Sequence, residues 1–329
     1  MRKMASVQTI LNIKPIEGAD LIECAVINGW NVVTKKGEFA INDNVVYCEI
    51  DSWIPHDIAP FLSKPEPKQY NNVLGNRLKT AKLRGCISQG LILPTSLLSG
   101  EFNVGDDVSE LLGIQKYDPP IPASIAGMAK GNFPSFIPKT DEERVQNLGD
   151  DIFKVVGKEV YITEKLDGTS FTAYVYDGEE GVCSRNLDLK ETDENTLWQY
   201  AREHNLHDKL KTLPFNAAIQ GELIGCGIQG NKYKRNKFEL YVYNLYNIDE
   251  KRYLTFDEFT ASCDALCLAS VPVIETCIFN YDVQGIIGYA DGKSVLFDTL
   301  REGVVIRTTG DDRVSFKAIS NKWLLKNDE

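Results

Sequence analysis

TEKLDGTS, residues 163–170, decides how this chain is read. Lys165 is followed by Asp167 and Gly168, and then by the hydroxyls of Thr169 and Ser170. The alternating EVYI of residues 159–162 leads in and predicts a strand, while the Asp-Gly pair predicts a turn. Lys165 therefore stands at a strand end. A lysine there is ordinarily a solvated cation. Whether its amine serves as a nucleophile depends on what the rest of the chain places around it.

Working outward, residues from about Val155 read as strands: EVYITEKL (159–166), TSFTAYVYD (169–177), FELYVYNLYNI (238–248), EGVVIRT (302–308) and RVSFKAI (313–319). Helical patterns fall near 194–210 and 256–268. Most of the strands follow one another too closely for helical crossovers, so the pattern predicts an α+β fold on antiparallel sheets with flanking helices. Upstream, in TDEERVQNL (140–148), Thr140 and Glu143 have the spacing of a capping box opening a short helix that carries Arg144. YDPPIPASIAGMAKGNFPSFIPK (117–139) is rich in Pro, Gly, Ala and Ser, which disfavours regular structure.

Residues 1 to about 115 show short β patterns in ECAVINGWNVVTKKG (23–37), NVVYCEIDSWIP (44–55), RLKTAKLRGCISQGLILP (77–94) and VGDDVSELLGI (104–114). Five or so short strands without long helices suggest a small barrel, for which an OB-fold is the natural candidate. The expected organisation is a barrel domain at 1–118, a linker at 119–138 and a second domain at 139–329.

A lysine, any residue, then Asp-Gly is weak evidence alone. The case rests on an ordered series downstream of it: Arg185 in CSRNLDL, Glu222 in AIQGELIGCGIQG, Tyr243 in LYVYNLY, Glu302 and Arg307 in EGVVIR, and Lys317 in VSFKAISNKWLLK. This series resembles the nucleotidyltransferase motifs shared by ATP-dependent ligases and capping enzymes. With an OB-like module ahead of it, the whole chain looks most like the fifth RNA ligase family.

The chemistry can be argued beside the resemblance. Attack on a nucleotide α-phosphorus needs an in-line nucleophile and neutralised phosphate charge. A lysine amine is nucleophilic only when neutral, and its ordinary pKa is about 10.4. Arg185, Arg307, Lys317 and a divalent metal around Lys165 are expected to lower it. The resemblance then implies ATP and Mg²⁺ or Mn²⁺ as cofactors and a lysyl–AMP intermediate on Lys165.

It further implies that Asp167 and Gly168 shape the turn, with Asp167 near the metal or ribose. Arg185 grips a phosphate, Glu222 meets the ribose and a hydrated metal, and Tyr243 stacks on adenine. A core aromatic is an equally good reading of Tyr243. Glu302 is the second metal-facing carboxylate, Glu164 joins the nucleotide-binding set, and Lys317 contacts the α-phosphate. Arg307 stands where many relatives carry lysine. Arg144 resembles an arginine aimed at the outer phosphates, or is a solvated helix residue. One departure is plain: the last motif commonly has two lysines one residue apart, but Ser315 and Ile319 flank Lys317 at those offsets. Lys322 or Arg307 could supply the missing cation.

The net charge of −11 argues against nucleic acid as a sum, but its distribution does not. Lys64 to Arg84 holds six basic residues against Glu66, and KYKRNK (232–237) holds four cations and no acid. The eight cysteines form no CxxC pair, and His204 and His207 read as an exposed helical pair rather than zinc ligands. No apolar run approaches a membrane span and no signal peptide opens the chain, so a cytoplasmic protein and a monomer are expected. The leading expectation is a ligase for RNA 3′-hydroxyl and 5′-phosphate ends, at nicks in a duplex. A DNA ligase or capping guanylyltransferase is the alternative, disfavoured because only twelve residues follow Lys317 where those enzymes carry a barrel. A binding protein that has lost catalysis is the third.

Overall fold

A computed structural model describes residues 2–63, 66–118 and 127–327 of the chain. Lys64 and residues 119–126 of the expected linker lie outside them. The chain divides into two compact units, Met1–Pro120 with Leu324–Glu329, and Ile121–Trp323.

The second unit is built on two sheets. A seven-stranded sheet runs in the order Ala129–Asn132, Leu187–Leu189, Glu179–Cys183, Thr169–Tyr176, Ala217–Ile224, Glu239–Asn247, Arg252–Tyr253. A five-stranded sheet runs Glu143–Arg144, Ser315–Ile319, Gly303–Thr308, Glu159–Lys165, Val273–Ile278. All pairings are antiparallel except that of Glu143–Arg144 with Ser315–Ile319. The α+β expectation holds.

The two sheets meet at the opening stretch. Strand Glu159–Lys165 belongs to the five-stranded sheet and strand Thr169–Tyr176 to the seven-stranded one. The three residues Leu166, Asp167 and Gly168 carry the chain between them, so Lys165 lies at the junction. Each sheet has its own core. Phe171, Ile219, Trp198 and Leu206 fill one, with helices Thr196–Glu203, Leu206–Leu210 and Phe256–Ala265. Ile162, Ile306, Phe316 and Ile286 fill the other, under helix Val283–Ala290. That helix escapes sequence reading because two glycines dilute its pattern; Asp282 caps it, accepting from the Gly285 N–H. The expected helix at 194–210 is two, broken where Asn205 takes a left-handed backbone at φ 52°.

The expected capping box at Thr140 and Glu143 does not form, and the segment is not a helix at Arg144. Glu143–Arg144 is a two-residue strand, followed by a single 3₁₀ turn at Val145–Asn147. Thr140 Oγ1 instead meets the Tyr243 hydroxyl at 3.1 Å. A capping box does form at Thr255 and Glu258.

The first unit has twelve short strands among its described residues, more than the five or so expected. Apparent single runs break at turns: NVVYCEIDSWIP becomes Asn44–Cys48 and Ser52–Pro55, separated by Asp51 at φ 70°. VGDDVSELLGI forms no strand. Its Ser109 hydroxyl accepts from the Met4 and Ala5 N–H groups, and Val108 is buried. Two apolar clusters form the core, one around Val46, Ile54 and Leu93, the other around Trp30, Tyr47 and Ile92.

In the five-stranded sheet Lys165 lies opposite Gly303. A Cβ on Gly303 would come within 2.2 Å of the Ala318 carbonyl oxygen, a backbone atom that cannot swing aside. Gly303→Ala is therefore expected to cost about 1–3 kcal/mol by overpacking. A lowered thermal unfolding midpoint checks it; an unchanged midpoint would show that the sheet yields.

Candidate functional site

The junction opens into a cleft of about 330 Å³, within the size range of small-molecule sites. Its walls include Lys165, Asp167, Gly168, Arg185, Glu222, Tyr243, Glu302, Arg307 and Lys317, gathered from both sheets of the second unit.

Lys165 Nζ lies 2.6 Å from Glu302 Oε2, with the two side chains 27% and 13% exposed. Burial alone would lower the lysine's pKa. The Glu302, Glu222 and Asp167 carboxylates outweigh it, and the pKa stands above the ordinary lysine value. Among the protein's own groups it is the carboxylates, rather than Arg185, Arg307 or Lys317, that set this direction. The cations expected around Lys165 face other partners: Arg185 and Lys317 approach Asp141 at 3.5 and 3.3 Å, and Arg307 meets Glu142 at 3.3 Å.

Glu222 accepts from the Gly168 N–H at 2.9 Å, tying strand Ala217–Ile224 to the turn. Burial pushes its pKa up to about 7, against the lowering influence of Lys165. Glu302 is raised as well, first by burial. Gly168 must be glycine, because a Cβ would lie 2.4 Å from the Leu223 carbonyl oxygen.

Asp167 is held from two sides by a loop that sequence reading treated as a basic surface patch. Its Oδ2 takes an ion pair from Lys232 at 2.6 Å, and its N–H donates to the Tyr233 hydroxyl at 2.8 Å. The Lys232 ammonium also sits 4.4 Å from the centre of the Trp323 ring. Of the four KYKRNK cations, Lys232 thus faces the site and Arg235 pairs with Glu239 at 2.6 Å, leaving Lys234 and Lys237 exposed. KYKRNK was the available signal, but nothing in it names Asp167 as the partner.

The cleft wall beyond carries Tyr243, half-buried, with the Arg307 guanidinium 5.9 Å over its ring. Burial pushes the Tyr243 phenol up to about 12, so it stays neutral. Arg307 is buried and also donates to Thr163 Oγ1 at 3.2 Å. Glu164 is buried, accepts from the Val295 N–H at 2.7 Å, and has its pKa raised by burial.

Arg144 is buried rather than solvated, pairs in register with Lys317, and is absent from the cleft lining. Of the two residues considered for the missing cation, Lys322 is 68% exposed and turned to Asp291 at 3.8 Å, whereas Arg307 lines the cleft. His207 is buried against the Gly181 carbonyl, correcting the expected exposed pair, while His204 stacks on Tyr200.

Among the described residues no three His, Cys, Asp or Glu side chains gather as a direct metal cage. Asp167, Glu222 and Glu302 nonetheless concentrate negative charge around one lysine. That suits a divalent ion keeping its own water shell, as Mg²⁺ prefers.

The raised pKa of Lys165 has a measurable consequence. Reactivity of Lys165 toward an amine-directed label is expected to rise only above the ordinary lysine range. In Glu302→Gln the midpoint moves to lower pH, because a neutral amide no longer favours the ammonium. Peptide mapping of the labelled protein against pH checks this; coincident midpoints would contradict it.

Comparison with known proteins gives consistent findings. A profile described as RNA ligase matches residues 158–319, and an OB-fold domain profile matches residues 4–95. A comparison with curated proteins returns no match. Among solved structures, Naegleria gruberi RNA ligase with PPi is 42% identical with a TM-score of 0.93, covering 100% of this chain and 99% of the other. A mutant of the same enzyme with ATP and Mn is 42% identical with a TM-score of 0.94, covering 100% of both chains. A further mutant in apo form is 42% identical with a TM-score of 0.94, covering 100% and 99%.

Proposed function

The chain belongs to the family of ATP-dependent RNA ligases, and we propose that within it this protein seals nicks in duplex RNA through Lys165. The enzyme uses ATP and a divalent metal and works through an AMP intermediate. The observation that carries the assignment of Lys165 is its place in the cleft, paired to Glu302 and ringed by Glu222 and Asp167.

In this reading the Lys165 amine, once deprotonated, gives its electron pair to the α-phosphorus of ATP. The bond to the bridging oxygen breaks and pyrophosphate leaves with that pair, yielding lysyl–AMP. An oxygen of the RNA 5′-phosphate then attacks the AMP phosphorus, the P–N bond breaks and Lys165 regains its amine. The 3′-hydroxyl oxygen next attacks the RNA 5′-phosphorus, loses its proton and expels AMP. Glu222 and Glu302, with Asp167, would hold a hydrated Mg²⁺ or Mn²⁺. A bound cation supplies the positive charge that lets phosphate enter a cleft of carboxylates.

The same charge would draw Glu302 away from the lysine and favour the free amine. Arg185, Arg307 and Lys317 supply donors for the phosphates, and Tyr243 offers a neutral ring for adenine. Arg144 would act through its neighbour Lys317, from outside the cleft wall.

The first unit is assigned RNA docking, by Lys79, Lys82 and Arg84 on and beside the hairpin of Ala81–Leu83 and Cys86–Ser88, whose first strand and turn are exposed. The second is assigned adenylation. A cytoplasmic monomer is the working form; no helix of the described residues is long and apolar enough to cross a membrane.

Sealing of a nicked RNA duplex bearing a labelled 5′-phosphate tests the reading directly, and a protein that forms lysyl–AMP but joins no RNA would contradict it. Glu222→Ala and Glu302→Ala are each expected to slow metal-dependent adenylation by at least tenfold, about 1.4 kcal/mol in barrier. Wild-type rates in both would remove the metal assignment. Burial raises the Glu222 pKa and a facing cation lowers it, so adenylation should decline on the acid side with a midpoint that moves to lower pH as metal concentration rises. Replacing Lys79, Lys82 and Arg84 together with alanine should leave lysyl–AMP formation intact while weakening RNA binding and flattening its salt dependence.

A further inference from the structure

The basic loop between strands Ala217–Ile224 and Glu239–Asn247 is only partly used by the cleft. The two strands are already in register at Ile224 and Glu239, where a tight turn would suffice to join antiparallel neighbours. Fourteen residues, 225–238, stand there instead. They hold Lys232, Lys234, Arg235 and Lys237 and no acid, in a chain whose acids outnumber its lysines and arginines by 47 to 36. Lys232 grips Asp167 and Arg235 grips Glu239. Lys234 and Lys237 are exposed and enter no ion pair among the described residues.

The loop is also strained. Six of the ten residues 225–234 have positive φ, and the three that are not glycine are Gln229 at 45°, Asn231 at 49° and Lys234 at 53°. Left-handed backbone is unfavourable for a residue with a Cβ, and it persists where surrounding contacts impose it, most often at functional sites. Here the contacts are plain. The Asn231 side chain accepts from the Arg235 N–H and donates to the Arg235 carbonyl, both at 2.9 Å. Tyr233 is buried with its ring centre 4.4 Å from that of Phe297, and the Arg235 guanidinium lies 5.4 Å from the same ring. The turn that carries Lys234 is therefore fixed in place.

We propose that Lys234 and Lys237 take backbone phosphates of the RNA duplex beside the nick, which makes this loop a second docking surface, on the unit that adenylates. The proposal rests on the reading of the protein as a nick-sealing RNA ligase and adds a contact to it. An RNA whose 5′-phosphate reaches Lys165 must lead its backbone out across the cleft rim. This loop forms part of that rim, since Gln229 lines the cleft and Lys232 holds Asp167 from two residues away from Lys234. A nicked duplex offers phosphates there with every base still paired. Contacts to phosphate fix position without reading sequence, so the surface accepts any nick.

The test uses full-length protein and a fluorescein-labelled nicked RNA duplex, with affinity measured by anisotropy across a salt series. Lys234→Ala and Lys237→Ala are each expected to weaken binding and reduce the salt slope by about one counterion, and the double variant by about two. Alanine keeps a Cβ at the left-handed position, so the backbone strain at residue 234 is unchanged. Lys234→Arg keeps the charge and should keep the slope. Lysyl–AMP formation from ATP should be unaltered in all of these variants, which guards against misfolding. Sealing of a nick that already carries AMP on its 5′-phosphate should slow in the double variant.

An unchanged slope in the double variant overturns the proposal and leaves both lysines as a solvated loop. A loss of adenylation that matches the loss of binding also overturns it, because the loop would then only buttress Asp167. If the first unit's hairpin cations are needed for the nicked duplex while Lys234 and Lys237 are not, the docking assignment stands and only this surface is removed. If wild-type protein neither binds nor seals the nicked duplex, the nick-sealing reading itself fails and this surface with it.

Discussion

The ion pair between Lys165 and Glu302 is the constraint around which the second unit is arranged. To bring these two groups within 2.6 Å, the strand that ends in Lys165 must pair with the strand that begins after Glu302. On its other side that strand pairs with Ser315–Ile319, whose Ala318 carbonyl leaves no room for a side chain at Gly303. The following turn must then pass from one sheet to the other, and Glu222 fixes it there through the Gly168 N–H. If Lys165 is the nucleophile proposed, this pairing holds its amine in place as the ammonium. Three carboxylates keep its proton on, and charge brought by a metal and a nucleotide is what can release it.

The same logic accounts for the distribution of cations. Arg185, Lys317 and Arg307 are held by Asp141 and Glu142 along the cleft rim, where a phosphate could exchange for a carboxylate. Asp167 has its own cation in Lys232, which offsets one of the three carboxylates at the nucleophile. The cleft therefore balances its charges internally while remaining responsive to an incoming anion and cation together.

Much of this was legible in the sequence. Lys165, Glu222, Glu302, Arg307 and Lys317 were identifiable because each sits in or beside a strand whose alternation fixes its place and whose order along the chain is distinctive. What was not legible depended on contacts closed through space. Lys232 reaches Asp167 across 65 residues, and a basic run looks the same whether it faces solvent or a carboxylate. The direction of the Lys165 pKa was not legible, because it is set by the Glu302, Glu222 and Asp167 carboxylates that the fold gathers around the amine, while Arg185, Lys317 and Arg307 engage Asp141 and Glu142. The backbone at Arg144 was misread as helix because a two-residue strand leaves no periodicity, and Thr140 with Glu143 has capping-box spacing without a helix to cap. In the first unit the β character was readable, but left-handed residues such as Asp51 cut the runs into shorter strands.

The central claim is that Lys165 is the one amine that takes the nucleotide. Mass spectrometry of peptides from protein incubated with ATP and Mn²⁺, without RNA, tests it most directly. The predicted result is an AMP adduct confined to the peptide bearing Lys165, acid-labile as a phosphoramidate, and missing when the metal is withheld. An adduct on any other lysine, or one that persists in a folded Lys165→Ala protein, would contradict it.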